Sequence, residues 1–178
     1  MYQQILEFWF EELKSAMWWK RDEQLDQLIG QRFGALHLQA ISGELWQWRA
    51  TAEGRLAEII LLDQFSRNIH RGQPESFAHD GMALALAQEA IAAGADMALP
   101  VMQRSFIYLP FMHSESLLIH ERAVVLFGTP GMESSLNIEL QHRDILRRFG
   151  RYPHRNKILG RISTEEERVF LTQPGSSF

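Results

Sequence analysis

Three polar stretches carry the side chains through which this chain could do chemistry. The first, Leu61-Leu62-Asp63-Gln64-Phe65-Ser66-Arg67-Asn68, sets a carboxylate, a guanidinium one helical turn later and a carboxamide beside it. Asp63 follows Ile59 and Ile60 by four and three residues, so it shares their apolar face, where a charge needs a partner. The second, Leu109-Pro110-Phe111-Met112-His113-Ser114-Glu115, is interrupted by proline and predicts a helix beginning at Ser114, with free N–H groups and polar side chains converging there. In the third, His142-Arg143-Asp144 leads into Phe149-Gly150-Arg151-Tyr152-Pro153-His154-Arg155-Asn156. His142 keeps step with Ile138, Ile145 and Phe149, which predicts an at least partly buried imidazole. Pro153 then begins a short helix whose first turn holds His154, Arg155 and Asn156 beside Arg151, a geometry that suits a carboxylate or a phosphate.

Each stretch also has a plainer structural account. Asp63 and Arg67 form an internal ion pair or fix the following loop. Ser114 caps a helix and Glu115 favours its dipole. The arginines after Phe149 satisfy helix-end carbonyls and pair with acids such as Glu115. Three functional readings follow. In the first, Asp63, Arg67, Asn68, His113, Glu115, His142, Arg151, His154, Arg155 and Asn156 line one pocket for a small anionic ligand or an acidic peptide group. There Arg67, Arg151 and Arg155 supply charge, His113 and His154 adjustable donors, and Asp63 and Glu115 orientation. In the second, a histidine with a carboxylate partner performs general acid–base hydrolysis of an ester or phosphate, with or without a metal. In the third, the chain is a helical scaffold that binds other proteins, and the polar cluster braces its helices.

Metal and cofactor signals are weak. His113 with Glu115, His120 with Glu121 and His142 with Asp144 do not repeat one turn apart, so the two-histidine spacing of helical zinc sites is missing and no metal ligand is assigned. No phosphate-binding glycine loop, nucleophile elbow or dinucleotide fingerprint occurs, and no cofactor is assigned.

The elements that must position these residues read almost throughout at the helical period, with no alternating run of strand length. Helices are predicted from Tyr2 to about Leu13, from Asp22 as a cap to Ala40, and from Thr51 to Ser66. The last is apolar nearly all round and therefore central. A loop is predicted from Asn68 to Ser76. Further helices follow from Asp80 to Ala93, from Pro100 to where Pro110 ends or kinks it, from Ser114 to Phe127, from Ser134 to Phe149, and from the capping-box spacing at Ser163-Thr164 to Leu171. Residues 174–178 are expected to fray. The fold class is all-α, with stacked antiparallel helical hairpins in the manner of helical repeats.

Composition bounds the rest. The 178 residues predict one domain, and 46% hydrophobic with 22% charged residues is globular, excluding a disordered or collagen-like chain. The absence of cysteine removes disulfides, thiolate metal sites and thiol nucleophiles, and the cytoplasm is the default compartment. Glu7, Glu11 and Glu12 stand where a secretory signal needs a basic then apolar stretch, so no export signal is expected. The most apolar run, Leu56 to Leu62, contains Glu58 and stops at Asp63, far below the roughly 20 residues of a membrane span. A soluble protein without membrane partners is expected. Net charge is −4, yet Arg143 to Arg161 holds six arginines and Lys157 against the single acid Asp144, which predicts a local basic patch. The negative total and the lack of a reading motif argue against nucleic acid.

Taken together, the Asp63, His113 and His142 motifs and the Phe149-to-Asn156 motif resemble an uncharacterised bacterial family, domain of unknown function 924. The likeness runs from Phe8-Trp9-Phe10 to Ser163-Thr164-Glu165-Glu166-Glu167. The resemblance implies an all-helical fold similar to tetratricopeptide (TPR) repeats and implies no particular activity. His70 departs from it, standing where the family leads one to expect an aromatic residue.

Overall fold

The computed structural model describes residues 1–178, and the chain forms helices and turns without a strand, the all-α class expected from its periodicity. Its contacts gather into two compact units, Met1–Arg71 with Glu75–Pro110, and Gly72–Pro74 with Phe111–Phe178.

In the first unit, α1 (Gln3–Glu7) runs straight into a π-helical turn, Phe8–Glu12. The Leu13 N–H donates to the Phe8 carbonyl five residues back, at 3.1 Å, and closes that turn. α2 (Glu23–Ile41) begins at Asp22, whose carboxylate accepts from the N–H groups of Gln24 and Leu25 at 3.0 and 3.1 Å. α3 (Ala52–Ile60) passes through a second π-helical turn, Leu61–Phe65, into α4 (Ser66–Ile69). Leu56, Ala57, Ile59, Ile60, Leu61, Leu62 and Phe65 are all fully buried, as an apolar circumference requires. Aromatic side chains join the two π-turns: Trp9 lies 5.4 Å from Phe65, and Phe33 of α2 packs on Phe8 and Phe65 at 4.9 and 5.2 Å between ring centres. Gly54 opens α3 because any side chain would collide there; a Cβ would stand 2.0 Å from the Trp48 carbonyl oxygen. α5 (Asp80–Ala92) packs on α3 and buries Ala83, Ala87 and Ala90, whose small side chains permit the approach.

Three boundaries differ from the sequence reading. The helical rod continues past the expected loop start at Asn68, to Ile69. α6 (Val101–Met112) passes through Pro110 rather than ending there, since the proline removes one N–H only a turn from the helix end. The next helix, α7 (Leu117–Phe127), begins later than Ser114. Ser114 Oγ instead accepts from the Ser116 N–H at 3.2 Å, fixing the turn before the helix, so His113, Ser114 and Glu115 occupy a connection and not a helical first turn.

In the second unit, α7 and α8 (Glu133–Phe149) pack against each other across a short connection. Gly150, at φ 70°, ends α8 and donates its N–H to the Leu146 carbonyl. A short 3-10 turn, Pro153–Arg155, follows, and α9 (Glu165–Leu171) opens with the expected capping box between Thr164 and Glu167. The last residues do not fray: Ser176 is buried and donates to the Leu171 carbonyl, and the Phe178 ring packs 4.4 Å from His154.

Candidate functional site

The ten candidate residues divide between the units. Asp63, Arg67 and Asn68 belong to the first; His113, Glu115, His142, Arg151, His154, Arg155 and Asn156 belong to the second.

In the first unit, burial forces the polar groups to answer one another. Asp63 lies in the second π-turn and accepts from Gln64 at 2.6 Å, with Arg67 at 3.3 Å one turn on. Arg67 grips Asp80 with two nitrogens, at 2.9 and 3.0 Å, and donates to the Asp63 carbonyl. Asn68 donates to Asp26 of α2 at 2.8 Å, and Arg71 binds the same carboxylate through Nε and Nη2. A shallow surface hollow of about 370 Å³ adjoins this carboxylate, lined by Asp26, Gln27, Gly30, Gln31, Asn68 and Ile69. Ser66 donates its hydroxyl to the Leu62 carbonyl at 2.6 Å, so the imidazole of His37, 2.8 Å away, must donate from Nε2 to the Ser66 oxygen. His70 and His79 stand 5.5 and 6.2 Å from His37 between ring centres. Burial, with those two imidazoles adding to it, lowers the His37 pKa to about 4.

The second unit is organised around Tyr152, which is completely buried. Its hydroxyl donates to the Met112 carbonyl at 2.5 Å, and its N–H donates to Glu115 at 2.7 Å. Since the phenol has only one hydrogen, His120 Nε2 must carry a proton and donate to the phenol oxygen at 3.1 Å and to the Ser114 carbonyl at 2.8 Å. His120 Nδ1 then meets Glu139 at 2.7 Å, both side chains having no exposure at all. Burial raises the Glu139 pKa against the pull of His120, and its second oxygen makes no hydrogen bond. An unbonded oxygen is tolerable on a neutral acid and costly on a carboxylate, so Glu139 holds the proton and donates it to Nδ1. With both ring nitrogens engaged and no solvent path, this pair fastens α7 to α8 and does not present a base to a substrate.

Around this core the arginines find acids. Arg161 binds Glu115 at 2.7 and 2.9 Å and donates to Asn156 Oδ1 and the Tyr152 carbonyl. Arg151 binds both oxygens of Glu167 at 2.7 and 2.8 Å, and Asn156 donates to the same carboxylate. The Arg151 hydrogen bond outweighs burial and holds the Glu167 pKa at about 2. Arg155, itself buried, lies over the Tyr152 ring and donates to the His113 carbonyl at 2.9 Å. Arg147 and Arg148 reach Glu121 and Glu166. The basic patch expected from Arg143 to Arg161 is therefore largely neutralised by acids that lie far off in sequence. His142 is buried as expected and donates from Nδ1 to the Ile138 carbonyl at 2.8 Å; burial, above all, drops its pKa to about 3. No three histidine, aspartate or glutamate side chains gather at metal-holding distance, and no helix is long and apolar enough to cross a membrane.

The family model for DUF924, described as a bacterial protein of unknown function, matches residues 5–175. The chain belongs to this family. The match includes Glu115, Tyr152, Arg161 and Glu167, so the whole braced cluster lies within the DUF924 region. The chain is also similar to a solved structure, a protein of unknown function, ATU0120, from Agrobacterium tumefaciens. Identity is 40%, 96% of each chain is covered, and the TM-score is 0.91. No curated protein matches.

The sequence reading weighed His120 only as a metal ligand beside Glu121, met Tyr152 only inside its motif and Arg161 only as the end of the basic patch, and gave no role to Glu139 in the second unit or to Asp26 and Arg71 in the first, with Asp80 only as a helix start. A signal for two of them was present. His120 precedes Ala123 and Phe127 by three and seven residues, and Glu139 precedes His142 and Leu146 at the same spacing, which places both polar groups on buried helix faces.

Proposed function

We propose that this chain acts as a helical scaffold that binds other proteins, and that the polar side chains of its second unit brace the fold. One observation carries this reading: Glu115, Arg151, Asn156, Arg161 and Glu167 spend their charges and amides on each other, at 2.7 to 3.2 Å. A recognition pocket keeps such donors available for its ligand, whereas a brace saturates them. Packing of paired helices in the manner of TPR repeats belongs to the same proposal. The test is photo-crosslinking in cells from single exposed positions, 102, 118 and 125. The expected product is a discrete adduct whose partner, once identified and purified, binds the purified chain again. Absence of any such adduct from all three positions overturns the scaffold reading.

A second reading, recognition of a small anion or acidic group, is favoured by Arg151. That side chain is 29% exposed and commits Nε and Nη2 to Glu167 and the Ile162 carbonyl, leaving Nη1 outside these bonds. Here Arg155 would add charge, with His113 and His154 as donors. Thermal-shift titration with inorganic phosphate and with citrate, on the parent chain and on Arg151→Ala, distinguishes the two. A shift lost in the variant supports the anion reading, and no shift in the parent removes it.

A further inference from the structure

Phe178 is 54% exposed, yet its ring is seated against three others in the second unit. The ring centres of His142, His154 and Tyr152 lie 3.7, 4.4 and 5.2 Å from its own, at interplanar angles of 52°, 66° and 82°. Those three also stand against one another, Tyr152 lying 5.8 Å from His142 and 5.7 Å from His154. Together they make a cup of three walls, and tilted or edge-on contacts of this kind are the geometry in which aromatic rings attract. The walls are firm. Tyr152 is fully buried and fixed by its hydroxyl on the Met112 carbonyl, and His142, 6% exposed, is fixed by Nδ1 on the Ile138 carbonyl.

The occupant is held less firmly than the cup. Among residues 174–178 only Ser176 makes hydrogen bonds, from its hydroxyl to the Leu171 carbonyl at 3.2 Å and from its N–H to the Gln173 carbonyl at 3.4 Å. Both are long, so the packing of the ring itself does most to keep this segment in place. The occupant also leaves one wall unanswered. Because His142 Nδ1 donates to Ile138, Nε2 at the distal edge of the imidazole is the lone-pair nitrogen, and it accepts no hydrogen bond. A phenylalanine ring has no donor to offer it, whereas a phenol has one. His142, Tyr152 and His154 fall inside the DUF924 region, residues 5–175, so the cup lies within the shared region and the ring that fills it does not.

We propose that His142, Tyr152 and His154 form a binding site for a phenolic ring that donates to His142 Nε2, and that residues 174–178 are a strap whose Phe178 ring closes this site until the ligand displaces it. The proposal goes beyond the scaffold reading and does not rest on it. The strap of a second copy fits the cup less well than a phenol does, because its Phe178 carries no donor either.

The full chain and its Phe178→Ser variant are titrated with para-cresol, with toluene and with a blocked peptide carrying one tyrosine, and binding is read from the histidine ring signals in nitrogen-edited NMR. para-Cresol is expected to bind Phe178→Ser roughly tenfold more tightly than the parent, the factor imposed by a strap closed about nine-tenths of the time. It should bind about fivefold more tightly than toluene, the worth of one neutral hydrogen bond. The His142 Nε2 signal should move upfield with para-cresol and not with toluene. In the parent, saturating para-cresol should release Phe178, whose ring signals then match those of a solvated phenylalanine. His142→Phe keeps a ring in the wall and removes the acceptor, so it should bring the two affinities together. That variant also loses the bond to Ile138, so the Nε2 signal of the parent provides the same check without a substitution. Binding of the tyrosine peptide as well as para-cresol assigns the site to a partner's side chain, and binding of para-cresol alone to a small molecule; either supports the site. Equal affinity of parent and Phe178→Ser, equal affinity for para-cresol and toluene, perturbed signals that leave out His142, or dimers formed by exchanged straps in sedimentation would each overturn the proposal. So would loss of the fold in Phe178→Ser by circular dichroism, because a displaceable strap does not hold the unit together.

Discussion

Glu115 accepts two guanidinium nitrogens of Arg161, at 2.7 and 2.9 Å, from 46 residues further along the chain. It also accepts the Tyr152 N–H at 2.7 Å, so one carboxylate ties the connection before α7 to the segment after α8. Burial by itself would raise its pKa; Arg161 and the Tyr152 N–H outweigh that and hold it below the ordinary carboxylate range. Glu115→Ala leaves a guanidinium and a backbone N–H without their acceptor. Because both side chains keep about a quarter of their exposure, the expected loss is moderate, about 2 kcal/mol in urea denaturation. The double variant Glu115→Met with Arg161→Met should recover part of it. A loss within experimental error for Glu115→Ala would show that the bridge does not brace the fold.

The buried imidazoles make stability depend on acid. His37 and His142 take protons in the folded protein only near pH 4 and pH 3, against an ordinary value of 6.5. Between those limits the unfolded chain binds more protons than the folded one, so the stabilisation present above pH 6.5 is lost as pH falls. The slope is about 1.4 kcal/mol per pH unit for each histidine. Urea denaturation at steps from pH 7 to pH 4.5 should show this decline, and His37→Gln should roughly halve it. A flat profile over that range would contradict the burial of these rings as neutral groups.

The assignment of the proton to Glu139 has a sharp consequence. Glutamine in its place can still donate to His120 Nδ1 with the same shape, so Glu139→Gln should cost less than about 1 kcal/mol. Glu139→Leu removes the donor, leaves the ring nitrogen bare and should cost about 2 to 3 kcal/mol. An ionised Glu139 reverses the pattern for glutamine, whose substitution would then cost about 3 kcal/mol or more. Thermal and urea unfolding of the two variants side by side decides between these states.

Gly54 supports a close approach that no other residue permits. A Cβ 2.0 Å from the Trp48 carbonyl cannot be relieved by a side-chain rotation, because the obstacle is backbone. Gly54→Ala should therefore displace the turn before α3 and cost on the order of 3 kcal/mol. The control is Gly30→Ala in α2, where a Cβ meets nothing within 4 Å. That change should leave stability equal or slightly higher. Equal unfolding midpoints for the two variants would refute the close contact.

Local chemistry in the sequence determined much of this protein. The helical period, the Asp22 cap, the stop at Gly150, the Thr164–Glu167 capping box and the all-apolar circumference of the Asp63 helix are short-range properties, set by side chains within a turn or two of each other. Tertiary structure decided what those side chains do. Arg161 reaches Glu115, Arg151 reaches Glu167 and Asn68 reaches Asp26 across 46, 16 and 42 residues, and His120 meets Glu139 only because α7 packs on α8. Spacing along a chain cannot specify such pairings. They follow from burial, which makes every desolvated charge or amide find a partner among whatever groups the packed helices bring near.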